Sequence, residues 1–165
     1  MTLRIVPLDL ADPQHAAAFL DLLDHYARDP MGGGDGLLPE TRSTLVDALK
    51  DVPGFHSALA FFDQNPDQTA VGLIDCFIGF STFAAKPLLN VHDIVVHQSV
   101  RGQGVAQALL AWAEQRARAI GCCKLTLEVL ANNDRAMAAY RRAGYVPYEL
   151  DPAAGQALLL QKPLA

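Results

Sequence analysis

Residues Val91 to Gly121 read VHDIVVHQSVRGQGVAQALLAWAEQRARAIG, and their parsing decides the fold. Ile94-Val95-Val96 is a β-branched run that favours a strand. A polar turn, His97-Gln98-Ser99, leads to Arg101-Gly102-Gln103-Gly104-Val105-Ala106. Beyond it Val105, Leu109, Trp112, Ala113 and Ile120 recur at helical spacing, and Gly121 suits a helix C-cap. The stretch is therefore strand, glycine turn, helix. That connection points the helix's free N–H groups and its positive dipole end into the turn, where an anion can sit. Glycines there let backbone approach a phosphate with no Cβ in the way.

Two common phosphate loops are excluded. A Walker loop needs Gly-Lys-Ser/Thr after a longer gap, which is absent, and in a dinucleotide fingerprint the third glycine would stand where Gln107 is. No convincing ribose-binding acid follows about twenty residues on.

Outward from this core, Thr2–Val6 reads as a strand, and Asp12-Pro13 caps a helix with Phe19, Leu22, Leu23 and Tyr26 on one face up to about Arg28. Residues 29–36, DPMGGGDG, form a loop; its glycines follow a helix and precede no lysine, so they are no phosphate cradle. Pro39–Lys50 is a second helix, His56–Phe62 a strand, residues 63–68 a hairpin turn, Thr69–Phe80 the partner strand and Leu88–Val96 the next. After the core helix come a strand over Lys124–Leu130, a helix over Asn133–Ala143, a strand over Tyr145–Leu150, a turn over 151–155 and a last strand over Ala157–Gln161. With no repeat, low-complexity tract or linker, residues 1–165 read as one α/β domain. Its mixed sheet carries helices on both faces, and the strands flanking the core helix run parallel.

The chain's 165 residues, 51% hydrophobic and 19% charged, suit a soluble globule with a sizeable core. No apolar run reaches the roughly 18–20 residues needed to span a bilayer. The first residues, MTLRIVPLDLADP, lack the pattern of an export signal, so a cytoplasmic location without membrane partners is expected. Cys76, Cys122 and Cys123 form no paired framework and read as reduced cysteines, and five scattered histidines give no metal spacing. A net charge of −5 argues against nucleic acid as a partner and is compatible with a cationic small substrate.

The segment Arg101–Ala106 resembles the Arg/Gln-x-x-Gly-x-Gly/Ala signature of the GNAT superfamily of acetyl-CoA-dependent N-acetyltransferases. Asn133-Asp134-Arg135-Ala136-Met137-Ala138-Ala139-Tyr140, followed by Gly144-Tyr145, looks like that family's second block, Asn-x-x-Ala-x-x-x-Tyr then Gly-Phe/Tyr. The resemblance is specific over residues 70–150. It implies a GNAT-like acyl-CoA N-acyltransferase fold of six to seven strands, acetyl-CoA as co-substrate, and direct acetyl transfer to the primary amine of a small molecule. A protein or peptide amine is the alternative acceptor, and a non-catalytic CoA-binding sensor the alternative class. Dimers are an expectation of the same resemblance.

The site residues follow residue by residue. Backbone N–H groups of Arg101, Gly102, Gln103, Gly104, Val105 and Ala106 would cradle the pyrophosphate, with the Arg101 side chain adding charge. Pantetheine would pair as an extra strand with Ile94, Val95 and Val96 where their strand splays from the next, leaving an N–H for the oxyanion. Asn133 matches the asparagine near the cofactor, though it also suits an N-cap. Tyr140 matches the tyrosine beside the CoA sulfur; a phenol with a pKa of about 10 can donate to the departing thiolate. By analogy Tyr26, Asp29 and Met31 line the acceptor side. For the base, His92 and Glu128 stand ahead of Asp93, with strand alternation placing His92 and Asp93 on opposite faces. The acid that precedes this aspartate in polyamine-acetylating relatives is replaced here by His92, which weakens a polyamine assignment.

Overall fold

The structure, a computed structural model, describes residues 2–63, 69–155 and 157–164. The chain divides into two compact units, Met1–Leu127 and Glu128–Ala165. Of the expected hairpin turn, residues 64–68 lie outside the described residues.

The first unit holds one sheet in the order β1-β2-β3-β4-β5. Its strands are β1 (Leu3–Pro7), β2 (Phe55–Phe62), β3 (Gly72–Ser81), β4 (Lys86–Val96) and β5 (Leu125–Leu127). The first four pair antiparallel and β4–β5 pairs parallel, so the sheet is mixed as the sequence implies. Helix α3 (Val105–Ile120) makes the crossover that a parallel pair requires. Helices α1 (Pro13–Ala27) and α2 (Pro39–Lys50) precede the central strands.

Each helix has a local cause. Asp12 accepts a hydrogen bond from Gln14 N at 2.8 Å, and Pro13 takes the first helical position, where its missing N–H costs nothing. Pro39 does the same for α2. In α3 the buried residues Val105, Leu109, Ala113 and Ala117 recur every four positions, and Gly121 closes the helix at φ 83°.

The two sheet faces bury different partners. Leu59, Leu73 and Val95 pack with Phe19 and Leu22 of α1, and Leu45, Val46 and Leu49 of α2 join that cluster. The opposite face meets α3: a Cβ on Gly72 would lie 2.8 Å from Val105 Cγ1 and 3.1 Å from Leu109 Cδ1, so the helix sits almost on the strand backbone. Helices therefore cover both faces.

One irregularity matters for the site. Asp75 pairs with Asp93 but Cys76 pairs with Val91, so His92 is an extra residue on β4. Such a bulge breaks alternation and bends its strand. The β4–β5 ladder also stops beside it, at Val91–Leu127, while β4 runs on to Val96.

The second unit contains α4 (Asp134–Arg142) and a short 3-10 turn, Pro152–Ala154, whose N-cap Asp151 accepts from Ala153 N at 2.9 Å. Here the strand expectations are corrected. The described residues form five strands, not six to seven. Residues 145–150 and 157–161 are not strands, and β5 covers three residues of the expected Lys124–Leu130. The alternating apolar pattern is present, but a strand exists only through a ladder partner, which these segments lack among the described residues. Val146, Leu150 and Leu158 accordingly lie exposed.

Candidate active site

The glycine turn forms as its sequence dictates. Gly102 and Gly104 adopt φ of 83° and 85°, a left-handed conformation that side chains resist, and a Cβ at either would meet nothing within 4 Å. Open space thus lies over the turn. Gly104 is the N-cap of α3 and makes no side-chain cap bond, so the first-turn N–H groups are left to face an anion. Val95 is buried among the core side chains while Ile94 and Val96 are half-buried. Beyond the end of the β5 ladder, β4 runs through these residues as the splayed strand on which an extended, amide-rich chain could add. The turn and strand fit a CoA-like group.

Beside this turn the structure assembles the acceptor-side candidates. Tyr26 lies in the last turn of α1; its backbone carbonyl accepts from Asp29 N at 2.9 Å, and its hydroxyl reaches Met31 O at 3.5 Å. Asp29 accepts from Met31 N at 3.0 Å, starting a 3-10 turn over Pro30–Gly32. Gly32 fits because a Cβ there would lie 2.1 Å from the Tyr26 carbonyl oxygen. Arg101 then joins loop to turn: its guanidinium pairs with Asp29 Oδ2 at 3.1 Å and donates to Val96 O at 3.3 Å. Arg101, expected to serve the pyrophosphate, thus anchors the loop that holds Asp29 and Met31. Next to it, His25 and His97 stack at 4.6 Å, and a pocket of about 610 Å³ opens there between His15, His25, Asp21 and Thr69.

The electrostatics follow burial. Burial first, then the charges of Asp93 and Asp29, raise the Tyr26 phenol above its ordinary pKa. Burial, with His97 and Arg101 adding, lowers the pKa of His25. Asp93 is raised by burial against the opposing pull of His92. Asp75, 3% exposed, is pushed up to about 7, chiefly by burial, with the Ser57 hydroxyl opposing and the Asp93 charge adding.

The base candidates need correction in placement. His92 packs edge-on against Phe77 at 5.3 Å, and Phe77 shares its face with Asp75, two residues away. The bulge therefore brings His92 to the face that carries Asp93, where simple alternation separates them. Glu128 lies one residue past the end of β5, in the second unit, not within a strand. In that unit Asn133 caps α4, accepting from Ala136 N at 3.2 Å, and the rings of Tyr140 and Tyr145 lie 6.0 Å apart. No group of three or more metal-ligating side chains is found among the described residues.

Sequence reasoning misses Asp75. Its signal is a single acid inside the otherwise apolar run GLIDCFIGF, a placement that demands a partner or a proton.

Comparison with known proteins now bears on this geometry. The Acetyltransferase (GNAT) family matches residues 19–145, well over half of the chain, and the chain belongs to that family. It is similar to an uncharacterized N-acetyltransferase, YdgE of Bacillus subtilis (strain 168), at 34% identity over 55 residues, 33% of this chain and 35% of that protein. The chain thus spans about a third of the length of that curated relative. Among solved structures it is similar to a probable acetyltransferase at TM-score 0.76 and 23% identity, covering 97% of this chain and 99% of the other. It also matches AAC(6')-Iy in complex with the bisubstrate analog CoA-S-monomethyl-acetylneamine at TM-score 0.74 and 17% identity, covering 99% and 100%. At those identities the structures establish a shared fold.

Proposed function

We propose that this protein transfers the acetyl group of acetyl-CoA directly to the primary amine of a small molecule, as a single cytoplasmic domain that forms homodimers. The observation that carries this reading is the pairing, in one unit, of an uncapped helix N-terminus behind a glycine turn with a splayed strand end immediately before it. Acetyl-CoA supplies an activated thioester; the rest is the work of this chain.

Backbone N–H groups from Arg101 to Ala106 hold the pyrophosphate, where the α3 dipole adds to the attraction. Ile94, Val95 and Val96 align pantetheine through backbone bonds, and one N–H of that segment donates to the oxyanion. Asn133 contributes a cofactor contact besides its capping bond. Tyr140 donates its phenolic proton to the departing thiolate. Tyr26, Asp29, Met31, His92 and Glu128 form the acceptor side, and His92 and Glu128 are the candidates for the base that the sequence offers. The acids on this side suit a cationic amine. Among the similar structures, AAC(6')-Iy, an aminoglycoside N-acetyltransferase, is complexed with the bisubstrate analog CoA-S-monomethyl-acetylneamine.

Tyr140→Phe tests the enzyme reading. Turnover is expected to fall by about 100-fold or more while acetyl-CoA affinity stays within about threefold. Unchanged turnover would remove Tyr140 from the mechanism. A wild-type protein that binds acetyl-CoA and turns over no amine would be a sensor.

A further inference from the structure

Ser57, Asp75 and Asp93 stand in one row across β2, β3 and β4, each the Cα partner of the next, on the face covered by α1 and α2. Directly opposed side chains on antiparallel strands are neighbours, and like charges in that position repel. Asp75 and Ser57 are 3% and 6% exposed, and among the described residues neither Asp75 Oδ1 nor Ser57 Oγ meets hydrogen-bond geometry with a partner, so the Ser57 hydroxyl acts on Asp75 only as a neighbouring dipole. Asp93 is half-buried, one residue ahead of Ile94–Val96. Arg101 is taken up by Asp29 and Val96 O, and the basic group that draws on Asp93 is its chain neighbour His92.

We propose that Asp75 and Asp93 share one proton, held by Asp75, so that Asp93 is the carboxylate that receives the proton of the acceptor ammonium. This deepens the acetyltransferase reading and rests on it, and it moves the role of base from His92 and Glu128 to Asp93.

Physical reasoning gives each aspartate its part. Two carboxylates a strand apart in a dry face do not both ionise, and the deeper one keeps the proton. The neutral Asp75 acid then donates its O–H toward Asp93, which steadies the Asp93 carboxylate and fixes its direction. Burial pushing Asp75 to about 7 agrees with that division. Asp75 touches no substrate; it is a positioning residue. Asp93 takes one proton from R–NH3+, leaving a neutral amine whose lone pair forms the C–N bond as the C–S bond breaks. The second nitrogen proton balances the thiolate through Tyr140, and Asp93 returns its proton to solvent. The groups facing the pair are Ser57 from β2, Tyr26 from α1, itself next to Asp29 of the following loop, and His92 from β4; Cys76, the next residue on β3, points to the other face of the sheet. The bulge at His92 lets Asp93 face inward without breaking the ladder on either side.

The test has two arms on the full chain. In the first, carboxyl-carbon NMR of aspartate-labelled protein is titrated with pH, with no substrate present. One resonance, absent in Asp75→Asn, should titrate near neutrality, and its midpoint should fall by about one pH unit or more in Asp93→Asn once the like charge is gone. In the second, kcat/KM is followed against pH with acetyl-CoA and spermidine or sisomicin. Asp93→Asn should lose about 100-fold in kcat with the acetyl-CoA KM kept. Asp75→Leu should raise the acid limb by about one unit, and Asp75→Asn, which still donates, should restore it. Ordinary midpoints below pH 5 for both carboxyls, or an Asp75→Leu profile identical to wild type, would overturn the shared proton while leaving acetyl transfer standing. A coupled titration with no transfer to any amine would instead overturn the acetyltransferase reading, and Asp93's role as base with it.

Discussion

Asp75 makes a stability prediction of its own. Its ordinary pKa is 3.8 and its folded value about 7. Between those values the folded protein binds a proton that the unfolded chain has released, so stability falls as pH rises from about 4 to about 7 and then levels off. The total is on the order of 4 kcal/mol. Asp75→Asn removes this slope, and its melting temperature should exceed that of wild type by more at pH 8 than at pH 5. His25 and His56, both lowered chiefly by burial, act in the opposite sense below about pH 6.5 in both proteins, so the comparison cancels them. Equal differences at the two pH values would mean that Asp75 is ionised in the fold throughout. The residue scale is also where the sequence is least legible. Tyr140 and Asn133 are found through a motif, because their spacing repeats within one helix. The Asp75–Asp93 row and the Arg101–Asp29 pair join residues far apart in the chain, and only strand register or loop folding brings such groups together.

At the scale of elements, the strand–turn–helix from β4 to α3 carries both fold and site. Gly104→Ala would place a side chain in the left-handed region, costing about 1–2 kcal/mol of stability. It should also raise the acetyl-CoA KM, because the added Cβ enters the open space over the turn; an unchanged KM would argue that nothing binds there. Asn133→Ala should cost about 1 kcal/mol through the lost cap at α4, read as a lower denaturation midpoint in urea. These elements were legible in sequence because their signals are local: Asp12-Pro13, Pro39, the four-residue recurrence in α3 and Gly121 each act within a turn or two. The bulge at His92 was not legible, since an extra residue on one strand is defined only against its partner. The short β5 and the unformed strands after α4 have the same cause: an alternating pattern supplies a face, whereas a strand also needs an edge to pair with.

For the whole molecule, two of the three cysteines report how the first unit holds together. Cys76 is buried between strands and its thiol is pushed up to about 12, by burial first and the Asp75 charge second. Cys123 is exposed. Iodoacetamide at pH 8 should therefore modify Cys123 within minutes and Cys76 only at the rate of global unfolding; early labelling of Cys76 would mean the central strands open locally. The family assignment rests on residues 19–145, which span the glycine turn and the tyrosine motif together. The claim to be tested is the chemistry those two motifs imply. The most direct measurement is free-thiol release from acetyl-CoA in the presence of small amines, polyamines, amino acids, aminoglycosides and amino-terminal peptides. The predicted result is release that requires one class of small amine and matches the acetylated product mole for mole. Release with peptides alone would move the acceptor to a protein, and silence with every amine, while acetyl-CoA still binds, would contradict the enzyme.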